Sequence, residues 1–223
     1  MTLPGVTAIA LIVKLRLNAW IAVLFLYSLP LLDFAQAGEP TDRIRFVVEQ
    51  GIEILNNPKF RSKNGKHVYL DRLREVVYPL FDFPEMARRS LGFHWRQLSP
   101  EQQKEFVDLF TNLLERSYAG KIDLYDGETV VFTGEVVEDI YARVDSKIVS
   151  KKGEEFSVDY KLLRNNGNWR IYDVVVENIS LVNNYRSQFN RVISNSSYEE
   201  LKKRINQKLK ELEASHNSNE SPA

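Results

Sequence analysis

Two periods of hydrophobicity divide the chain, and they occupy different segments. Between Asp42 and Asn56 the apolar residues Ile44, Val47, Val48, Ile52 and Leu55 recur at helical spacing and Pro58 closes the run, which predicts an amphipathic helix. Leu73, Val76, Val77 and Leu80 repeat the spacing and run into Pro79. Asp82 and Glu85 then form a D-x-x-E capping box for a short helix through Met86 and Leu91, with Gly92 able to end it in αL. The clearest helix starts at Ser99. Pro100 suits its first position, Gln102 completes a second box, and Phe106, Val107, Phe110, Leu113, Leu114 and Tyr118 mark a broad apolar face before Gly120.

From Thr129 to Ile179 the period drops to two, with Gly134, Gly153 and Asn166-Gly167 as turn signals between four candidate strands. Ala142, Val144 and Ile148 alternate with Tyr141, Arg143, Asp145 and Lys147; Phe156, Val158, Tyr160 and Leu162 alternate with Ser157, Asp159 and Lys161. One face is dry and the other wet, as in an antiparallel meander. The last strand, Trp169 to Val176, is apolar on both sides around Val174-Val175-Val176, so it is expected to be covered on both faces. Beyond Asn178 come two more helical patterns: Val182-Tyr185-Phe189-Val192 and, behind a Ser197-x-x-Glu200 box, Leu201-Ile205-Leu209-Leu212. The polar tail, 215–223, is expected to be disordered. The order predicts an α+β domain over 38–214, a four-stranded antiparallel curved sheet with helices packed on one face.

The first 37 residues stand apart. Lys14 and Arg16 precede an apolar stretch from Ala19 to Leu32, and Ala35-Gln36-Ala37 is a small-x-small cleavage pattern followed by Gly38. This predicts a secretory signal peptide cleaved near Ala37, and a mature protein outside the cytoplasm. An uncleaved anchor is the alternative, because Leu3 to Val13 are also apolar. The uncharged run is shorter than the about 20 residues of a spanning helix, and Pro30 would break its end.

Charge and composition narrow the chemistry. The 223 residues carry 30 basic and 30 acidic side chains and no cysteine. Balanced charge argues against a nucleic-acid binder held by counterion release. Without cysteine there is no disulfide scaffold, thiolate metal site or cysteine nucleophile. His67, His94 and His216 lack ligand partners at i+3 or i+4, so no metal site is expected. No G-x-S-x-G, P-loop or dinucleotide fingerprint occurs. Asp82, Glu85, Glu101 and Glu105 fit helix N-termini, where the macrodipole favours them. Asp173 interrupts an apolar strand; it either pairs with a neighbouring Arg or backbone amide, or acts as an acid or base. The aromatic residues, Phe81, Phe83, Phe93, Trp95, Phe106, Phe110 and Tyr185 among them, form either a core or the lining of an apolar ligand cavity.

Two blocks of residues resemble a known family. Phe81-Asp82-Phe83, Met86-Ala87, Leu91-Gly92, Trp95, Leu98-Ser99, Gln102, Glu105-Phe106, Leu114 and Tyr118 form the first. The second is Gly167-Asn168-Trp169-Arg170-Ile171-Tyr172-Asp173-Val174, Glu177, Ser180-Leu181, Tyr185-Arg186 and Phe189. Together they resemble the MlaC or toluene-tolerance family of periplasmic phospholipid carriers from Gram-negative bacteria, over roughly residues 42–213. The family usually has Gly after the Glu of the last strand; here Asn178 stands there, the next most tolerant residue of αL geometry.

The resemblance implies acyl chains inserted between sheet and helices, a head group near solvent, and no catalytic residue or cofactor. The partners it implies are phospholipid, an outer-membrane lipoprotein–porin complex, and an inner-membrane ABC transporter complex with a periplasmic lipid-binding subunit. Nucleic acid is not among them, and a monomer is expected. Combined with the strand alternation, the expected lipid lining is Val144, Ile148, Val158, Tyr160, Leu162 and Val174 from the sheet. Met86, Phe106, Phe110, Leu113 and Tyr185 complete it from the helices. Arg186 and Arg170 are candidates for a phosphate contact or partner surface, or else pair with Asp173 or Glu177. Two rivals stay open: a cone-shaped isomerase or hydratase with Asp173 as general base, and an interaction module with a filled core.

Overall fold

The computed structural model describes residues 39–58, 66–122 and 125–220. The expected signal peptide lies outside them, as do residues 221–223 of the expected tail. Six helices are described: α1 (Glu39–Asn56), α2 (Lys66–Val77), α3 (Phe83–Leu91), α4 (Pro100–Ile122), α5 (Leu181–Asn195) and α6 (Tyr198–Glu220). Short 3₁₀ turns cover Tyr78–Leu80 and Gly92–Gln97. The strands β1 (Thr129–Glu138), β2 (Tyr141–Val149), β3 (Glu155–Asn165), β4 (Asn168–Val176) and β5 (Ile179–Ser180) form one antiparallel curved sheet in sequence order. The fold is α+β, with a fifth strand too short to leave a period in the sequence. α4 runs two residues past Gly120, and α6 continues beyond Ser215, where the polar tail was expected to begin.

Turn chemistry explains most of the meander, with one correction. Asn166 (φ 49°) and Gly167 (φ 78°) both hold positive φ, as a two-residue hairpin turn requires. Glu177 (φ 48°) and Asn178 (φ 63°) repeat this geometry before β5, so Asn178 does adopt the αL conformation. Gly134 does not turn the chain. It sits inside β1, where the register with β2 shifts between Phe132 and Gly134, and a Cβ there would lie 3.2 Å from the Asp145 carboxylate. Such bulges bend a strand and help curve the sheet.

A second bulge decides which residues of β4 share a face. Lys161 pairs with Asp173 but Leu162 pairs with Ile171, which leaves Tyr172 as the extra residue. Residues directly opposite each other lie on one face. Trp169, Ile171 and Val174 therefore all join the dry face of Leu162 and Tyr160, and Asp173 is set on the other face beside Lys161. This is why the strand reads as apolar on both sides.

Helix α1 covers the dry face. Its fully buried Ile44, with Val47 and Val48, packs on Ala142, Val144, Leu162, Trp169 and Ile171. The start of α1 is pinned to the sheet: Thr41 N–H donates to the Glu135 carboxylate at 2.8 Å, and Trp169 Nε1 donates to Glu39 at 3.2 Å. Helices α3 to α6 build a second core chiefly on one another, around Met86, Leu91, Phe106, Phe110, Val182, Phe189 and Leu201. Between the two cores the Phe81-Asp82 segment joins the β4 edge, with Asp82 N–H donating to the Ile171 carbonyl at 2.8 Å.

The capping boxes differ in how fully they close. Ser99 and Gln102 bond reciprocally, at 3.3 Å and 2.9 Å. Asp82 accepts from Glu85 N–H at 3.0 Å, but its own N–H is already used by Ile171. Glu85 turns instead to Arg88 and Arg89, both at 2.7 Å. Burial pushes the Glu85 carboxyl up, but these two arginines outweigh it and hold it below the usual carboxylate value of 4.5. A lowered native pKa means stability that is present above the unfolded value and is lost as pH falls through the native one. The native protein should thus lose more stability than Glu85→Gln between about pH 5 and pH 3 in urea melts. Equal losses would show that Glu85 carries none of the acid sensitivity.

Candidate functional site

The two cores do not meet everywhere. Where α2 crosses above the end of β4, a cavity of about 340 Å³ remains. The sheet contributes Val174 and Val176, α3 contributes Phe83 and Met86, and α4 contributes Leu114 and Tyr118. Leu70, Leu73 and Val77 face it from α2, and Phe81 and Leu181 complete the apolar wall. The reason lies in the stripes. α4 has a wider apolar face than α3, α5 and α6 cover, and the apolar stripe of α2, repeating three and four apart, is turned toward the remainder. Phe81 and Phe83 stack at 5.6 Å and Tyr78 meets Phe83 at 4.9 Å, which makes one end of the wall aromatic.

Among the described residues, the charged members of this wall are Arg74 and Glu115. Arg74 and the Tyr78 hydroxyl both donate to the Glu115 carboxylate, one to each oxygen, and Arg74 also reaches Asp71 at 2.8 Å. Burial, with the bond to Glu115, pushes the Tyr78 hydroxyl up to about 12, so it remains a donor at any physiological pH. The bond to Glu115 likewise raises the Arg74 guanidinium. This clamp joins α2 and the turn after it to α4 across the cavity.

Of the expected lining, the wall includes Met86 and Val174. Phe106, Phe110, Leu113 and Tyr185 pack into the helical core instead, where Phe106 stacks on Phe110 at 5.9 Å and Phe110 meets Tyr185 edge-on at 5.2 Å. Val144 and Leu162 are buried beneath α1, with Tyr160 against them; Val158 is buried and Ile148 half-buried, and none of these reaches the cavity wall. Of the wall residues outside that expectation, Leu70, Leu73, Arg74 and Val77 come from α2, whose Leu70-Leu73-Val77 stripe was the available signal, and Leu114, Glu115 and Tyr118 from α4.

Arg186 lies over Gly92, where a Cβ would meet its guanidinium at 2.8 Å, and Arg170 is exposed; neither lines the cavity. His94 joins Asn190 at 3.0 Å; the side chains of His67 and His216 lie outside the described residues.

Asp173 is buried, yet its carboxylate is occupied. It accepts from Ser180 Oγ at 2.7 Å and from Val182 N–H at 3.1 Å, with Lys161 at 3.4 Å, and so anchors the start of α5. It is not part of the cavity wall, where a general base would have to stand. Asp173→Asn should cost about 2 kcal/mol in urea denaturation, since a charge-assisted pair is weakened, with bound ligand unchanged. Loss of ligand at full stability would return Asp173 to the site.

The model of the MlaC protein family matches residues 45–207. The chain belongs to the MlaC family. Its relatives include the toluene tolerance protein ttg2D of Pseudomonas putida, 24% identical over 169 residues, which span 75% of this chain and 78% of that protein. Among solved structures, the phospholipid-binding protein of Ralstonia solanacearum, determined in complex with a phospholipid, superposes with a TM-score of 0.70. That likeness holds at 24% identity and covers 78% of this chain and 99% of the other. The two chains share a fold.

Proposed function

We propose that this MlaC-family protein is a periplasmic phospholipid carrier, which shuttles lipid between outer and inner membrane within an Mla-type ABC transport system. The observation that carries the reading is the apolar cavity between the end of β4, α2 and the helical core. Two chains of about 16 carbons, at about 0.8 kcal/mol per methylene, bring a hydrophobic cost in water on the order of 20 kcal/mol. A lipid will not cross an aqueous gap unaided at a useful rate. A carrier needs only a pocket about as apolar as a bilayer, so that loading and unloading are nearly isoenergetic.

The cavity's 340 Å³ sits near the lower end of the roughly 300–1,000 Å³ typical of ligand pockets. Donor lipid would come from an outer-membrane lipoprotein–porin complex, and the acceptor would be the periplasmic subunit of an inner-membrane ABC transporter. Labelled phospholipid in donor vesicles, separated from acceptor vesicles by a membrane that passes only protein, tests the reading. Added protein should raise transfer well above the spontaneous rate; transfer at the spontaneous rate would refute it.

A further inference from the structure

The clamp on the cavity rim has a charge arrangement that an apolar pocket does not need. Arg74, with its side chain 44% exposed, and Glu115, 28% exposed, stand at the boundary between the cavity and water. A lipid whose chain fills the cavity leaves its head group at that boundary. A guanidinium offers five donors in a fork that matches phosphate oxygens. The one described cation of the wall is therefore where a lipid phosphate would be held.

Arg74 does not stand alone, however. Glu115 and Asp71 both engage it, so the cluster carries one positive and two negative charges. A phosphate at the guanidinium competes with the Glu115 carboxylate for it, and a carboxylate that loses its cation is left unfavourably placed. A lipid with a cationic amine beside its phosphate supplies a replacement; a lipid of net negative charge adds repulsion.

We propose, on the carrier reading above, that Arg74, Tyr78 and Glu115, with Asp71, form a head-group subsite selecting zwitterionic amino-phospholipids over net-anionic ones. Arg74 takes the phosphate, Tyr78 donates to an oxygen that replaces Glu115's, and Glu115 and Asp71 hold the amine. The uncharged hydroxyl of Tyr78 fits this role, because it adds a donor without adding charge.

The test loads purified protein from vesicles of equal phosphatidylethanolamine and phosphatidylglycerol with identical chains, then extracts and quantifies the bound lipid. The unmodified protein should carry at least about threefold more of the ethanolamine lipid. Glu115→Gln, which keeps shape and removes charge, should abolish or reverse that ratio. Arg74→Gln should lower total loading about threefold while keeping the preference. Uptake at the vesicle ratio, or a ratio unmoved by Glu115→Gln, overturns the subsite and leaves the carrier reading intact. No lipid in the unmodified protein overturns both.

Discussion

Protein carrying Val174→Glu should fold and yet retain at least about thirtyfold less phospholipid than the parent. Val174 is half-buried on the dry face of β4 and forms part of the cavity wall. With the cavity empty, a glutamate there can be hydrated from the open side. An incoming acyl chain would strip that water from a carboxylate while the one described cation of the wall, Arg74, is already held by Glu115 and Asp71, at a cost of about 2 kcal/mol or more. Lipid extraction read beside a thermal melt separates the two effects: the melting temperature moves by a few degrees at most, while the bound lipid disappears. Full lipid content in the folded variant would remove the β4 wall from the site.

Phe110→Ala should do the reverse, costing about 3–5 kcal/mol of stability with little change in lipid per folded molecule. Phe110 is fully buried, and its ring meets Phe106, Tyr185 and Phe189 within 6 Å. Removing it leaves a void among aromatic rings that cannot all close in, and the cavity lies elsewhere in the fold. Urea denaturation gives the energy, and lipid extraction from the soluble fraction gives the occupancy. Loss of lipid at unaltered stability would place this ring in the pocket instead.

These two variants mark where the sequence was legible. Capping residues act locally, so Ser99 with Gln102 and Asp82 with the Glu85 amide could be identified from spacing alone. Alternation in β2 also reads directly, because Ala142 and Val144 are buried while Tyr141 and Arg143 are exposed. What alternation cannot distinguish is a wall from a core. A phenylalanine on an apolar stripe has one sequence signature whether it faces a neighbouring ring, as Phe110 does, or a hollow, as Phe83 does. The hollow depends on how two separately built cores meet, which is long-range packing. The bulge at Tyr172 likewise depends on the register of β3 against β4, and it alone brings Val174 onto the face of Leu162 while setting Asp173 on the other. Arg74 shows a further limit. Nothing in its spacing on α2 sets it apart, and only the approach of Glu115, 41 positions along the chain, builds the clamp on the cavity wall.

A phospholipid chamber beneath α2 should keep its lipid through purification. Native mass spectrometry of protein purified without detergent, from cells that export it, addresses this directly. Adducts with the masses of intact phospholipids are expected, absent from Val174→Glu and present in Phe110→Ala. A spectrum with only the bare protein mass, or with a small polar adduct that Val174→Glu leaves in place, would contradict that expectation.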